Sequence, residues 1–161
     1  MQINGWRAGM IAMLAAVLCG CAGSPSKPAE AKARISAASN VNPNSDGRPS
    51  PVHVRIFQLK EGGAFMDADF WSLMDKEQET LGPSLVQRQE YDLAPGESRE
   101  FKMEIAPEAR VLGVMAEFAD YRNAEWRVVA QAPNKTLSDI LRKDRVLISI
   151  GRDAAKIFVG D

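Results

Sequence analysis

Cysteine is nearly absent from this 161-residue sequence, and its two copies, Cys19 and Cys21, lie two positions apart. A closed zinc site takes about four nitrogen or sulfur ligands, and beyond this pair the chain offers a single histidine, His53. That scarcity argues against a metal centre. A disulfide between the two would close a strained ring around one residue and fasten nothing distant. With one histidine, a Ser-His-Asp arrangement depends on His53 alone, and no Gly-x-Ser-x-Gly elbow occurs. Gly62-Gly63 lacks a following Lys-Ser/Thr, so no phosphate-binding glycine loop is present either. Neither charge sign dominates, with 20 Lys and Arg against 21 Asp and Glu, and no basic patch speaks for nucleic acid. No internal repeat, cofactor motif or metal-ligand set emerges.

What is present begins at the N-terminus. Met1 to Ala8 carries one charged side chain, Arg7, and Gly9 to Leu18 is apolar. This is the layout of a secretory signal. The run ends in Gly-Cys-Ala-Gly-Ser-Pro before reaching the ~18 to 20 apolar residues that span a bilayer. Leu18-Cys19-Gly20-Cys21 resembles the bacterial lipobox: an aliphatic residue, two small residues, then the cysteine that receives the lipid. The resemblance implies that residues 1–20 are removed and that Cys21 becomes the acylated first residue. Ala22 rather than Asp follows it, which implies sorting to the inner leaflet of the outer membrane, facing the periplasm. Each buried CH₂ contributes ~0.8 kcal/mol, so several acyl chains would anchor the protein firmly.

Without residues 1–20, 141 residues remain, with 19 basic against 21 acidic side chains and a formal charge of −2. That suits one domain. Residues 21–31 are small, polar and proline-bearing, a flexible tether reaching about 35 Å when extended. The domain is expected over residues 32–161.

There the apolar pattern has mostly period two. Val52, Val54 and Ile56 alternate with His53, Arg55 and Phe57; Phe101, Met103 and Ile105 with Lys102 and Glu104; Val146, Ile148 and Ile150 with Leu147 and Ser149. These read as strands with one face inward. Val111 to Ala116 is apolar throughout, as a central strand covered on both faces would be, with 126–130 as its neighbour and 154–159 as a short last strand. Ala94-Pro95-Gly96-Glu97 has the chemistry of a type II turn and predicts a hairpin between 85–93 and 98–105. One helix is expected over 65–81, with Asp67 or Asp69 as N-cap and Met66, Phe70, Leu73 and Met74 at helical spacing, packed across a sheet edge. The fold class is therefore all-β, a two-sheet β-sandwich with a short helical insertion after the second strand.

Few residues suggest chemistry. His53 alternates with inward valines and reads as a surface histidine. The pairs Asp67 with Asp69 and Asp139 with Asp144 fit capping and solvated charge. Trp71 and Trp126 fit either core cover or the wall of a ligand pocket. The richest stretch is Asn42-Pro43-Asn44-Ser45-Asp46-Gly47-Arg48-Pro49-Ser50-Pro51. Its prolines fix φ, and its Asn and Asp side chains can bond the nearby backbone. The result is a stiff, polar loop presenting Arg48. It is an elaborate turn or a preorganised docking surface, and the residues alone leave both open.

VNPNSDGRPSPVHVRIFQLK, then AFMDADFWSL, TLG, LAPGE and LGVMAEFADYRNAEWR resemble, in order, the TssJ (VasD, SciN) family of type VI secretion lipoproteins. The resemblance covers roughly residues 35–160. It implies a transthyretin-like sandwich and a non-enzymatic role: anchoring a membrane complex at the outer membrane by binding the periplasmic C-terminal region of the IcmF-like inner-membrane protein TssM, alongside TssL. It also implies that the loop of Asn42, Pro43, Asn44, Ser45, Asp46, Gly47, Arg48, Pro49 and Ser50 contacts the partner, with Asp46 and Arg48 foremost. The chain departs from the family pattern at Phe57, where members commonly carry Tyr, and at Ala119, where they carry Arg. Arg122 is the nearby candidate to replace that Arg in an ion pair. A small-molecule-binding sandwich is the alternative reading, and a hydrolase depending on His53 a further one.

Overall fold

Among the described residues eight strands, most with apolar side chains in alternation, build two facing sheets. The structure, a computed structural model, describes residues 28–133 and 145–160. Its strands are β1 (Ala29–Ala37), β2 (Val52–Leu59), β3 (Leu85–Leu93), β4 (Ser98–Ile105), β5 (Val111–Ala116), β6 (Arg127–Gln131), β7 (Arg145–Ile150) and β8 (Ala155–Gly160). One sheet runs β4-β1-β7-β8 and the other β3-β2-β5-β6. Ile35, Val54, Ile56, Met103, Val114 and Ile148, each 2% exposed or less, fill the space between them.

Strand β1 begins at Ala29, inside the stretch expected to be tether up to residue 31. Ala31 and Ala33 point into the core at 2% and 4% exposure while Glu30, Lys32 and Arg34 point out. The alternation is real but carried by alanines, whose small apolar area resembles linker composition.

Strands β3 and β4 have the expected bounds but form no hairpin. The Ala94–Glu97 turn closes as its chemistry requires, with Glu97 N–H donating to Ala94 O at 3.0 Å and Gly96 at φ +78°. Yet β3 pairs with β2 and β4 with β1, so the turn carries the chain from one sheet to the other. A Pro-Gly turn fixes a reversal of direction, and either sheet can receive the returning strand.

The expected single helix is three short ones: α1 (Gly63–Asp67), α2 (Phe70–Asp75) and α3 (Glu77–Leu81), followed by a 3-10 turn at Gly82–Ser84. Asp69, extended at φ −76° and ψ 164°, breaks the first and caps the second, accepting the Trp71 and Ser72 N–H groups at 3.0 Å. Its bond from the Ser72 hydroxyl, with those N–H groups, holds its carboxyl below the usual range. The helices cover the outer face of the second sheet rather than its edge: Phe65, Phe70, Leu73 and Leu81 pack on Phe57, Leu59 and Met115. Phe57, which alternates with inward Ile56, is consequently buried from the other side. Strand β5 thus lies under cover on both faces, as its unbroken apolarity predicts.

Strand directions sort the loops onto two poles. β1 leaves the pole of Ala29 and delivers the chain, nine residues and about 30 Å later, to the other. Residues 38–51, 94–97, 117–126 and 151–154 gather at that second pole. There the sheets are joined at one corner by the isolated bridge between Glu125 and Ala154.

Candidate functional site: the loop pole

The loop after β1 is built on Asn42, which is 7% exposed and sits at φ +46°, a left-handed conformation asparagine tolerates. Its Nδ2 donates to Pro51 O at 2.7 Å, its Oδ1 accepts the Ala119 N–H at 2.8 Å, and its own N–H donates to Arg152 O at 2.9 Å. One side chain therefore ties together both ends of its own loop and the loop before β6. The turn at 151–154 is held by its main chain.

Above this base, Asn44 organises the tip. Its Oδ1 accepts the N–H groups of Asp46 and Arg48 at 3.0 Å, its N–H donates to Arg48 O at 2.9 Å, and Gly47, at φ +74°, donates to Asn44 O at 2.9 Å. Ser50 N–H returns to Val41 O at 3.2 Å. Pro43 and Ser50 are half-buried; Asn44 is exposed but its carboxamide oxygen is occupied. Ser45, Asp46, Gly47, Arg48 and Pro49 form the exposed crest, and the bonds that shape the loop leave the Asp46 and Arg48 side chains outward. Of the nine residues proposed from sequence, the structure thus divides supports from crest.

Asn42→Ala should destabilise the domain by about 2–4 kcal/mol, because it leaves the Ala119 N–H and Pro51 carbonyl without their partner and places Ala at positive φ. Urea unfolding checks this, with Asn42→Gly separating the backbone part. Coincident unfolding curves for wild type and Asn42→Ala would mean that these bonds contribute nothing.

The loop before β6 stands beside the crest. Asn123 Nδ2 donates to both Asp120 carboxylate oxygens at 2.9 Å, and a small pocket of about 90 Å³ lies between Pro43, Phe118, Asp120, Asn123, Arg152 and Asp153. Among the described residues Arg122 makes no replacement ion pair. Its guanidinium lies 5.6 Å from the Tyr121 ring centroid, a cation–π contact. Glu117, at the end of β5, instead meets Arg55 Nε at 2.8 Å, at an angle too poor for a hydrogen bond, so the contact is an ion pair alone. Arg55 also donates to Met74 O at 3.1 Å and lies 3.6 Å from Glu77, which accepts Arg88 at 2.7 Å. This network fastens the helices to β2 and β3.

His53 faces outward, as expected, with Nδ1 2.7 Å from Asp92 and Nε2 3.9 Å from Glu90. Trp71 and Trp126 belong to one aromatic cluster with Phe70 and Tyr121. Phe70 stacks on Tyr121 with centroids 4.3 Å apart and meets Trp126 edge-on at 5.1 Å, while Trp71 Nε1 donates to Tyr121 Oη at 2.9 Å. Among the described residues no group of three His, Cys, Asp or Glu is placed to hold a metal ion, and no helix is long and apolar enough to cross a membrane. Cys21, the signal over residues 1–20, the tether before residue 28, and Asp139 with Asp144 lie outside the described residues.

Residues 29–153 match the family described as "Type VI secretion lipoprotein, VasD, EvfM, TssJ, VC_A0113". The chain belongs to this family. Its fold is similar to the crystal structure of the T6SS lipoprotein TssJ1 from Pseudomonas aeruginosa, at 33% identity and a TM-score of 0.75, over 83% of this chain and 98% of that one. A chain of a structure described as "Type VI membrane complex" matches at 27% identity and 0.68, over 80% and 97%. Another, from a structure described as the T6SS protein TssM C-terminal domain (869-1107) from EAEC, matches at 25% identity and 0.62, again over 80% and 97%. A search of curated proteins returns no significant match. The β-sandwich read from strand alternation is the fold of these type VI secretion lipoproteins, and the motif order that suggested the TssJ family did so correctly.

Proposed function

We propose that this TssJ-family chain is held at the inner leaflet of the outer membrane through acylated Cys21, faces the periplasm, and anchors a type VI secretion membrane complex. Its partner is the periplasmic C-terminal region of the TssM-like inner-membrane protein, within a complex that includes TssL. The carrying observation is the polarity of β1. The chain enters the domain at Ala29, on the side of the tether, and the preorganised crest of Ser45 to Pro49 stands at the opposite pole. A protein attached to one membrane and reached by a partner from the other needs its two contacts on opposite ends. Similarity to chains in structures described as a type VI membrane complex and a TssM C-terminal domain supports the choice of partner.

Titration of residues 22–161 against the periplasmic C-terminal region of the TssM-like protein from the same organism tests the reading. Saturable binding is expected, and Arg48→Glu should weaken it at least about tenfold, as loss of a central contact does. Absence of binding between folded partners would overturn the assignment, and an unaffected Arg48→Glu variant would move the interface off the crest.

A further inference from the structure

The outer face of the β4-β1-β7-β8 sheet carries a charge pattern that the fold does not require. Strand register places Lys102 opposite Lys32, Lys32 opposite Arg145, and Arg145 opposite Gly160. Three cations thus stand abreast on adjacent strands, an arrangement that destabilises a sheet. Lys102 is relieved by Glu30 at 3.1 Å, but among the described residues Lys32 and Arg145 have no ion-pair partner. The next row reads Glu100, Arg34, Leu147, Phe158. Arg34 pairs with Glu100, and its bond, followed by the fields of Lys32 and Arg145, holds the Glu100 carboxyl below the usual range. A shallow depression of about 490 Å³ runs between Lys32, Arg34, Glu100, Lys102, Arg145 and Leu147.

Apolar groups stand exposed beside the cations. Leu147 is 38% and Phe158 57% exposed. The Phe158 ring lies over Gly160, where an added Cβ would come within 2.8 Å of it, so the ring lies next to Arg145 at the end of the cationic row. The face holds five cations, Lys32, Arg34, Lys102, Arg145 and Lys156, against Glu30, Glu100 and Glu104, although the whole chain has a net charge of −1. Five cations against three acids leave this face a net charge of +2, with Phe158 exposed at its edge. Basic side chains beside exposed aromatic and aliphatic groups are what a bilayer of anionic phospholipid attracts at its headgroups.

We infer that the half of this face nearest Ala29, built on Lys32, Lys102, Arg145 and Phe158, is a seat for an anionic phospholipid bilayer. Chain length supports that occupant over an acidic protein. From Cys21 to Ala29 the chain can extend at most about 28 Å, so the row can never be far from the membrane that holds the lipid. Such a tether raises the local concentration of the surface to the millimolar range, where a weak contact is occupied. This step rests on the attachment through Cys21 proposed above. The domain then leans on its cationic row, and the crest at the far pole points obliquely away from the bilayer.

The test needs neither acyl chain nor protein partner, so its outcome stands apart from that of the docking experiment. Residues 22–161 are sedimented with phosphatidylglycerol vesicles and, separately, with phosphatidylcholine vesicles. Retention is expected on the first alone and should fall as salt is raised. Each cation near an anionic surface strengthens attachment about fivefold, so Lys32→Ala with Arg145→Ala should weaken it about 25-fold. Because the two sit in a like-charge row, that double variant should melt no lower than the wild type, which separates lost binding from lost folding. Arg48→Glu should bind vesicles as the wild type does. Equal retention on both lipids, no retention on either, or an undiminished double variant would overturn the inference. So would suppression by millimolar glycerol phosphate, which would mark a site for small phosphates instead.

Discussion

Phe65→Ala is expected to remove about 3–5 kcal/mol of stability and to lower the melting temperature by of order 10 °C or more. Phe65 is fully buried between the helical insertion and the second sheet, its ring centroid 5.2 Å from that of Phe57. The sheet makes room for it at Gly113, where an added Cβ would stand 3.1 Å from the ring. The site cannot collapse easily after truncation, because Arg127 Nη1 reaches across from β6 to Phe65 O at 3.1 Å and also bonds Ala68 O, pinning α1 in place. A pinned helix leaves a cavity, and the cost of a deletion grows with the cavity that remains. Gly113→Ala crowds the same ring from below and should also destabilise, but less in the Phe65→Ala background, since the two substitutions share one space. Met66, the adjacent residue at 40% exposure, serves as control, and its truncation should change stability by less than about 0.5 kcal/mol. Calorimetry on the four variants decides it. A Phe65→Ala protein melting within a few degrees of wild type would mean that the helices lie loosely on the sheet.

Phe65 also shows where the sequence was readable. Strands with large side chains on one face, β2, β4 and β7, announce themselves because Val, Ile and Met leave a clear period of two. β1 keeps the same period with alanines, so its first three residues resemble tether. In the helical insertion, the spacing of Met66, Phe70, Leu73 and Met74 suggested one continuous stripe. Asp69 and Lys76 interrupt it, and the resulting change of direction buries Phe65 and turns Met66 out. The pairing of β3 and β4 was illegible for a different reason: a turn specifies a local reversal, while the choice of sheet depends on contacts distant in sequence.

The loop pole was legible in the same unequal way. The composition of residues 42–51 marks a stiff polar loop, and its crest is exposed as that composition suggests. That Asn42 supports the crest could not be read, because its acceptor role is completed by Ala119, 77 positions away, and its positive φ has no signature beyond an asparagine. The cationic row is invisible in sequence for a related reason. Lys32, Lys102 and Arg145 come from three distant segments and become neighbours only through strand register.

Cys21→Ser should leave the protein on the membrane only through a contact that salt releases, with the domain and its partner binding intact. The folded strands begin at Ala29, so the substitution touches no packed residue that the structure describes. Thermal stability, and binding of residues 21–161 to the TssM-like region, should match wild type. Membrane attachment has a different source. One buried acyl chain gives only marginal binding and firm anchoring needs further chains, at ~0.8 kcal/mol per CH₂, so if Cys21 carries them as proposed, its substitution removes the main anchor at once. Contact through the cationic face would then be all that remains, and salt should wash such protein off, whereas wild type should stay in the membrane fraction through the same wash. Secretion should fail in the variant, because on the proposed function a crest that still binds its partner would no longer tie that partner to the outer membrane. A salt-resistant membrane fraction with secretion intact would mean that Cys21 is not the anchor. A released protein with secretion intact would mean that attachment at this pole is dispensable, and the opposition of the two poles would then need another explanation.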